Sequence, residues 1–264
     1  MGVKKLISLA LAAVMVVGLG LAAWQYFGYD RAAESQAYAQ ELAFPQTYTV
    51  LEESTPPLSV SPEVTKPLPE DAAFLLGLDV QALQRINGDV LGWISIPGTD
   101  ISYPLMAADS RDEYLYHDWQ GNYSPNGSIY LESRNSRDLS DFNTILYGHH
   151  MNDGSMFGGL IPYRDGEYRQ ANPCVYIATA DQILQYQIFS AWEAPVDSDA
   201  YRLVFRDDAK KQEALNTYTG RSVWESGITP TTADRVLTLS TCTGFGHYAT
   251  RWVVQAVLAE QWTR

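Results

Sequence analysis

Cysteine and histidine are scarce. The 264 residues hold two cysteines and four histidines. So few exclude a disulfide-dense scaffold and a zinc site built on several cysteines. Basic charge is also in short supply: 18 Lys and Arg face 31 Asp and Glu, for a net charge of −13 and a pI near 4.6. Nucleic-acid binding leaves a basic footprint, so no nucleic-acid partner is expected. The same acidity repels anionic lipid, and any membrane attachment must therefore be hydrophobic. No internal repeat is evident. No His-Glu-x-x-His motif or other ligand cluster occurs, so neither a metal nor a cofactor is expected. What is plentiful is apolar surface, 46% of residues with 12% aromatic, enough to form a core and to exclude wholesale disorder.

The first 27 residues differ from the rest. Lys4 and Lys5 precede an uncharged stretch from Leu6 to Phe27 that ends in Trp24, Tyr26 and Phe27. As a helix it is long enough to cross roughly 30 Å of hydrocarbon. Positive charge before it, and Asp30 soon after it, predict an N-inside, C-outside orientation with interfacial aromatics at the far end. A cleavable signal peptide is the rival reading, because Gly20-Leu-Ala-Ala23 offers small residues, but the stretch exceeds a usual signal core. Either way the remainder is exported. Residues 1–27 are thus expected to be a single-pass membrane anchor, 28–71 an acidic Pro-rich extracellular tether, and 72–264 a folded domain. Six of the 13 prolines fall between Pro45 and Pro69, and eight acids face only Arg31 and Lys66 across 30–71. Proline fixes φ and removes donors, which makes such a segment extended and semi-stiff. Arg31 to Leu42, rich in Ala, Gln and Glu, reads as helical.

Within the folded domain, Ala72 to Ile86 has helical apolar spacing. Short β-prone runs follow: Val90–Ile96, Ile101–Leu105, Gly127–Glu132, Asn143–Tyr147, Cys174–Ala178, Ile183–Trp192, Val236–Thr241 and Trp252–Leu258. Pro104 hints at an edge or bulge. One helix, from Asp207 to about Thr219, interrupts them. Many strands and few helices suggest a closed or nearly closed β-barrel.

The chemistry is concentrated late in the chain. Val236–Cys242 reads as a strand ending at a cysteine, Thr243–Thr250 as a turn with Gly244 and Gly246, and Arg251–Leu258 as the next strand. Paired as a hairpin, they set Cys242 opposite Arg251. A positive neighbour favours the thiolate, which is the nucleophilic form. A guanidinium can also stabilise an oxyanion on an attacked carbonyl. The acid–base partner is best sought in Asn143-Thr-Ile-Leu-Tyr-Gly-His149-His150, a strand running into Gly148. His149 is preferred to His247, five residues from Cys242 in the glycine-flanked loop. His117 reads as a surface or structural histidine. Adjacent histidines on a strand point to opposite faces, so His149 and His150 make an awkward metal pair. Cys174 reads as a small buried residue; a Cys174–Cys242 disulfide is the alternative on an exported chain.

These segments resemble a known family. Thr238-Leu-Ser-Thr-Cys242 resembles the T-L-x-T-C signature of sortases, Tyr147-Gly-His149-His150 their histidine strand, and Arg251 their arginine. Val90-Leu-Gly-Trp-Ile-Ser-Ile-Pro-Gly-Thr99, Ile101-Ser-Tyr-Pro104, Asp112-Glu-Tyr-Leu115 and Gly127-Ser-Ile-Tyr-Leu131 are similar to the start of a sortase domain. The helix before the cysteine strand resembles the class B subgroup. The resemblance runs from about Ile86 to Leu258 and rests on three motifs in order. It implies a mostly β fold, an eight-stranded barrel with a few peripheral helices behind an N-terminal transmembrane helix. It further implies a cysteine transpeptidase: Cys242 attacks the threonine carbonyl of a secreted protein's sorting motif, His149 moves the protons, and Arg251 steadies the oxyanion. Tyr147, Ser240 and Thr241 would line the peptide site. The partners implied are sorting-signal-bearing proteins and an amine of the peptidoglycan precursor or cross-bridge. A pilus-polymerising member is one alternative, against which the lack of an Asp-Pro-aromatic lid before the barrel counts, and two further rivals remain. One is a cysteine protease or hydrolase on the same residues, and the other is a non-catalytic, membrane-tethered binding domain.

Overall fold

The computed structural model describes residues 3–45, 67–110, 112–243 and 250–264; the side chains of residues 3–10, 12 and 21–27 lie outside that description. Eight strands close into a barrel: β1 (Val90–Ser95), β2 (Ser102–Met106), β3 (Ile129–Leu131), β4 (Asn143–Tyr147), β5 (Cys174–Thr179), β6 (Gln182–Pro195), β7 (Val236–Cys242) and β8 (Thr250–Thr263). Their order around the barrel is β1-β2-β3-β4-β7-β8-β6-β5. Two neighbouring pairs run parallel, β2 with β3 and β4 with β7; the others are antiparallel. Side chains alternate along each strand. Leu105, Ile129, Leu131, Leu146, Leu237, Leu239, Val254 and Ala256 therefore fill the interior.

Alternation leaves a second apolar set on the outer face, which helices must cover. One such cover is α4 (Asp208–Arg221). It starts at Asp207, whose carboxylate accepts from the Lys210 amide at 2.9 Å, a standard N-cap. Its Ala214, Leu215 and Tyr218 pack with Phe189, Trp192, Val236 and Val253. The other cover is α1 (Val3–Ala43), whose last turns dock on the barrel. Ala39 and Ala43, four residues apart on one helix face, are fully buried there. Trp119 donates its indole N–H to the Ser35 carbonyl at 2.9 Å, and Phe44 sets its ring edge-on to Trp93.

Ala72 to Ile86 is not one helix. A 3-10 helix covers Glu70–Gly77, Leu78 is extended, and α2 (Val80–Gln84) begins afresh. Asp79 causes the break: its side chain caps the Ala82 amide at 2.8 Å while its own N–H donates to the Ala43 carbonyl at 2.7 Å. Pro104 pairs with Trp93 on β1, but β3 meets only Leu105 and Met106. Its missing N–H therefore falls where β2 has no second neighbour. A short helix α3 (Gly166–Ala171) and a 3-10 helix over Phe157–Arg164 complete the fold; neither shows in the apolar pattern.

The structure thus places the end of α1, through Phe44, and Leu68 onward against the barrel. The Pro-rich part of the expected tether, 46–66, lies outside the described residues. Among the described residues no helix is long and apolar enough to cross a membrane. Much of Leu6–Phe27, on which the expected anchor rests, has its side chains outside the description.

Candidate active site

Strand register assembles the site. β4 and β7 are parallel, with Tyr147 level with Ser240. The Gly148 amide continues the ladder to the Ser240 carbonyl at 3.2 Å. Two residues past each come Cys242, the last residue of β7, and His149, just beyond the end of β4, and both open on the cleft that Tyr147 and Ser240 line. β7 and β8 are antiparallel, and Cys242 pairs with Arg251. Histidine, cysteine and arginine are therefore brought together at the same end of three adjacent strands, the histidine just past its strand. All six residues expected from the sequence, Tyr147, His149, Ser240, Thr241, Cys242 and Arg251, line a single cleft of about 290 Å³.

The trio is held from several sides. The His149 Nε2–H donates to the Leu115 carbonyl at 2.7 Å. A carbonyl only accepts, so this bond assigns the proton to Nε2 and leaves Nδ1 as the nitrogen for the cleft. Burial pulls the His149 pKa below the ordinary histidine value, and the Leu115 bond opposes that shift. The Tyr116 ring lies 5.4 Å from the imidazole. His150 points the other way: its Nδ1–H donates to the Cys242 carbonyl at 3.0 Å, which ties the end of β7 to the histidine segment. Arg251 Nη1 donates to the Thr250 carbonyl at 2.9 Å.

Of the two residues before the cysteine, Ser240 shares its face and Thr241 does not. Thr241 pairs with Trp252, an interior side chain, and its Oγ1 is buried without a partner among the described residues. Ser240 meets the hydroxyl of Tyr201 at 2.9 Å. Burial, with Cys242 nearby, pushes the Tyr201 phenol up to about 12, despite Ser240 and Arg251. Tyr147 donates its hydroxyl to Glu132 at 3.1 Å, and Arg134 pairs with the same carboxylate at 2.8 Å. Burial alone would raise the Glu132 carboxyl, but Arg134 and Tyr147 outweigh it and hold the group below the usual range.

Both cysteines are free, so no disulfide joins them. Cys174 is half-buried, and its Sγ accepts from Gln185 at 3.4 Å. His117 is half-buried, and its Nδ1 bonds the Glu113 carbonyl at 2.7 Å. His247, the rival base, lies outside the described residues.

A family profile described as the Sortase domain matches residues 94–259. The chain belongs to the sortase family. It is 33% identical over 164 residues to Sortase B of Listeria monocytogenes, an alignment covering 62% of this chain and 67% of that protein. Against Sortase B of Staphylococcus aureus it is 33% identical over 162 residues, covering 61% and 66%. The chain thus spans about two thirds of the length of these curated relatives. Among solved structures, a Staphylococcus aureus sortase B–substrate complex matches with a TM-score of 0.65 at 31% identity, covering 69% of this chain and 84% of that one. Sortase B of Bacillus anthracis in complex with AAEK1 matches at 0.70 and 27% identity, covering 89% and 99%. The protein is a class B-like sortase, a cysteine transpeptidase.

A sortase needs a thiol, a proton carrier and an anion stabiliser facing one substrate carbonyl. Cys242 is the one thiol among the residues described for this cleft, and it is partly exposed. Two parts of the site escape sequence reasoning. Tyr201 is one of 17 tyrosines and sits in the β6–α4 connection, with nothing nearby in the chain to mark it. The Leu115 carbonyl is backbone, and no residue type announces it. Its segment, Asp112 to Leu115, does stand out by resemblance, and that was the only available signal.

Proposed function

We propose that this sortase works outside a Gram-positive-type cell, held to the membrane by an uncleaved N-terminal helix, and joins secreted proteins to the cell wall. The observation that carries the reading is the trio His149–Cys242–Arg251 facing one cleft. In this reaction the Cys242 thiolate attacks the carbonyl carbon of the threonine in a C-terminal sorting motif. Arg251 stabilises the tetrahedral oxyanion. The C–N bond then breaks, and the departing amine takes a proton from Nδ1 of the His149 imidazolium. A thioester remains on Cys242. An amine from a peptidoglycan precursor or cross-bridge attacks it and gives its proton to His149. The C–S bond breaks, which restores the thiolate. Arg251 serves both tetrahedral steps, and no cofactor takes part. Tyr147, Tyr201 and Ser240 wall the peptide, with Thr241 at the border.

The test incubates the enzyme with quenched sorting peptides and an amine acceptor, beside Cys242→Ala. Mass spectrometry is expected to find a thioester on Cys242 and a ligated product, both lost in the variant. Cleavage that ignores the amine would identify a hydrolase. No cleavage, with Cys242 resistant to alkylation, would sink the enzyme assignment and favour the tethered binding domain.

A further inference from the structure

We infer that Gly127 and Tyr114 are positioning residues for His149, acting through the Leu115 carbonyl. The inference rests on the acid–base role proposed for His149. The carbonyl closes the 3-10 turn Glu113–Leu115, which follows Asp112 in the left-handed region at φ 61°. Gly127 is packed directly against that turn, at φ +58°. A β-carbon there would lie 2.7 Å from the Tyr114 carbonyl oxygen and 2.9 Å from the Leu115 carbonyl carbon, and nearer still to the Leu115 oxygen. No side chain can occupy that space without moving the oxygen that holds His149. Both the conformation and the close approach therefore demand glycine.

The surrounding bonds lock the two segments together. The Ser128 amide donates to the Tyr114 carbonyl at 3.0 Å, and the Ser124 amide to the Tyr116 carbonyl at 2.9 Å. The Ser128 hydroxyl donates to the His117 carbonyl at 2.9 Å. Tyr114 anchors the other side. Its ring is buried, and its hydroxyl donates to Asp89 at 2.9 Å while accepting from Asn87 at 2.8 Å. The Leu115 oxygen is thus fixed between a glycine wall and a tethered tyrosine. Neutral imidazole has two tautomers, and the group opposite one nitrogen selects between them. A fixed acceptor at Nε2 keeps Nδ1 unprotonated and aimed at the cleft in the neutral state. Among the described residues, Cys242, Arg251, Asp112, Tyr147 and Tyr201 line the cleft with the ring, and Tyr116 lies against its side. None of them replaces the carbonyl at Nε2.

The experiment uses the full chain in detergent, with ring-15N-labelled histidine and His149→Gln to assign the signal. Wild type is expected to show neutral His149 as the Nε2–H tautomer alone. Gly127→Ala and Tyr114→Phe are expected to mix the tautomers and to lower ligation kcat/KM about 10- to 100-fold, the scale on which metal-binding histidines respond to loss of an outer partner. Tyr114→Phe keeps the ring and the fold, so it decides the matter if Gly127→Ala fails to fold. A single Nε2–H tautomer retained in Tyr114→Phe overturns the inference, whatever the rate. Full ligation by His149→Gln would instead overturn the acid–base role, without altering the tautomer result.

Discussion

Replacing Asn143 by alanine should damage both stability and catalysis, and the size of the damage follows from its bonds. Asn143 opens β4 and is fully buried. Its amide donates to the Ala200 and Arg202 carbonyls, both at 3.0 Å, and its Oδ1 accepts from the Thr238 hydroxyl at 2.8 Å. Thr238 in turn accepts from Gln255 at 3.1 Å, and Gln255 accepts from the Trp192 indole at 2.9 Å. Alanine takes the amide donor from two carbonyls and leaves the Thr238 hydroxyl proton without its acceptor. Each buried polar group left unpaired costs about 1–3 kcal/mol, so about 3 kcal/mol is lost at the low end. With a urea m-value of roughly 2–3 kcal/mol/M, the midpoint falls by about 1–1.5 M. Trp192 and Trp252 report the transition by fluorescence. The two carbonyls flank Tyr201, so ligation should weaken even under conditions where the variant is folded. Asn143→Asp should be at least as damaging, because it sets a carboxylate oxygen against two carbonyl oxygens. A midpoint within about 0.3 M of wild type, with ligation unchanged, would refute the reasoning.

Glu132→Gln should lower the urea midpoint at pH 7. The folded carboxyl is held below its ordinary value, so the stability it adds is present above the unfolded pKa of about 4.3 and lost as pH falls through the folded one. The gap to wild type should therefore close between pH 5 and 3; a constant gap would show that charge is not what Glu132 contributes. At neutral pH an alkylating reagent should label Cys242 well ahead of Cys174, because burial raises the Cys174 thiol. Peptide mapping reads this directly, and equal rates would count against it. Ala39→Glu should place an unpaired carboxylate in the α1 contact and destabilise the protein by about 3 kcal/mol or more. Thermal melting tests this, and an unchanged Tm would mean that α1 does not dock as described.

Most of the strands were readable because β-branched and aromatic runs alternate between turn residues, and Asn143–Tyr147 and Val236–Cys242 needed little more than that. The Cys242–Arg251 pairing was readable too, since a short loop between two strands leaves a hairpin as the simple outcome. The continuous helix expected over Ala72–Ile86 was not found, because apolar spacing alone did not reveal that Asp79 caps a new helix while bonding to Ala43. The role of Leu115 was out of reach because a backbone carbonyl has no letter of its own.

What the amino-acid sequence determined by itself is local: which segments are strands, where they turn, and which side chains could carry thiol chemistry. The tertiary structure alone decided that β4 lies parallel to β7, over 90 residues further along the chain, with Tyr147 level with Ser240. That register sets His149 beside Cys242. A shift by one residue would have brought His150 to the cleft instead, because neighbouring side chains on a strand face opposite ways.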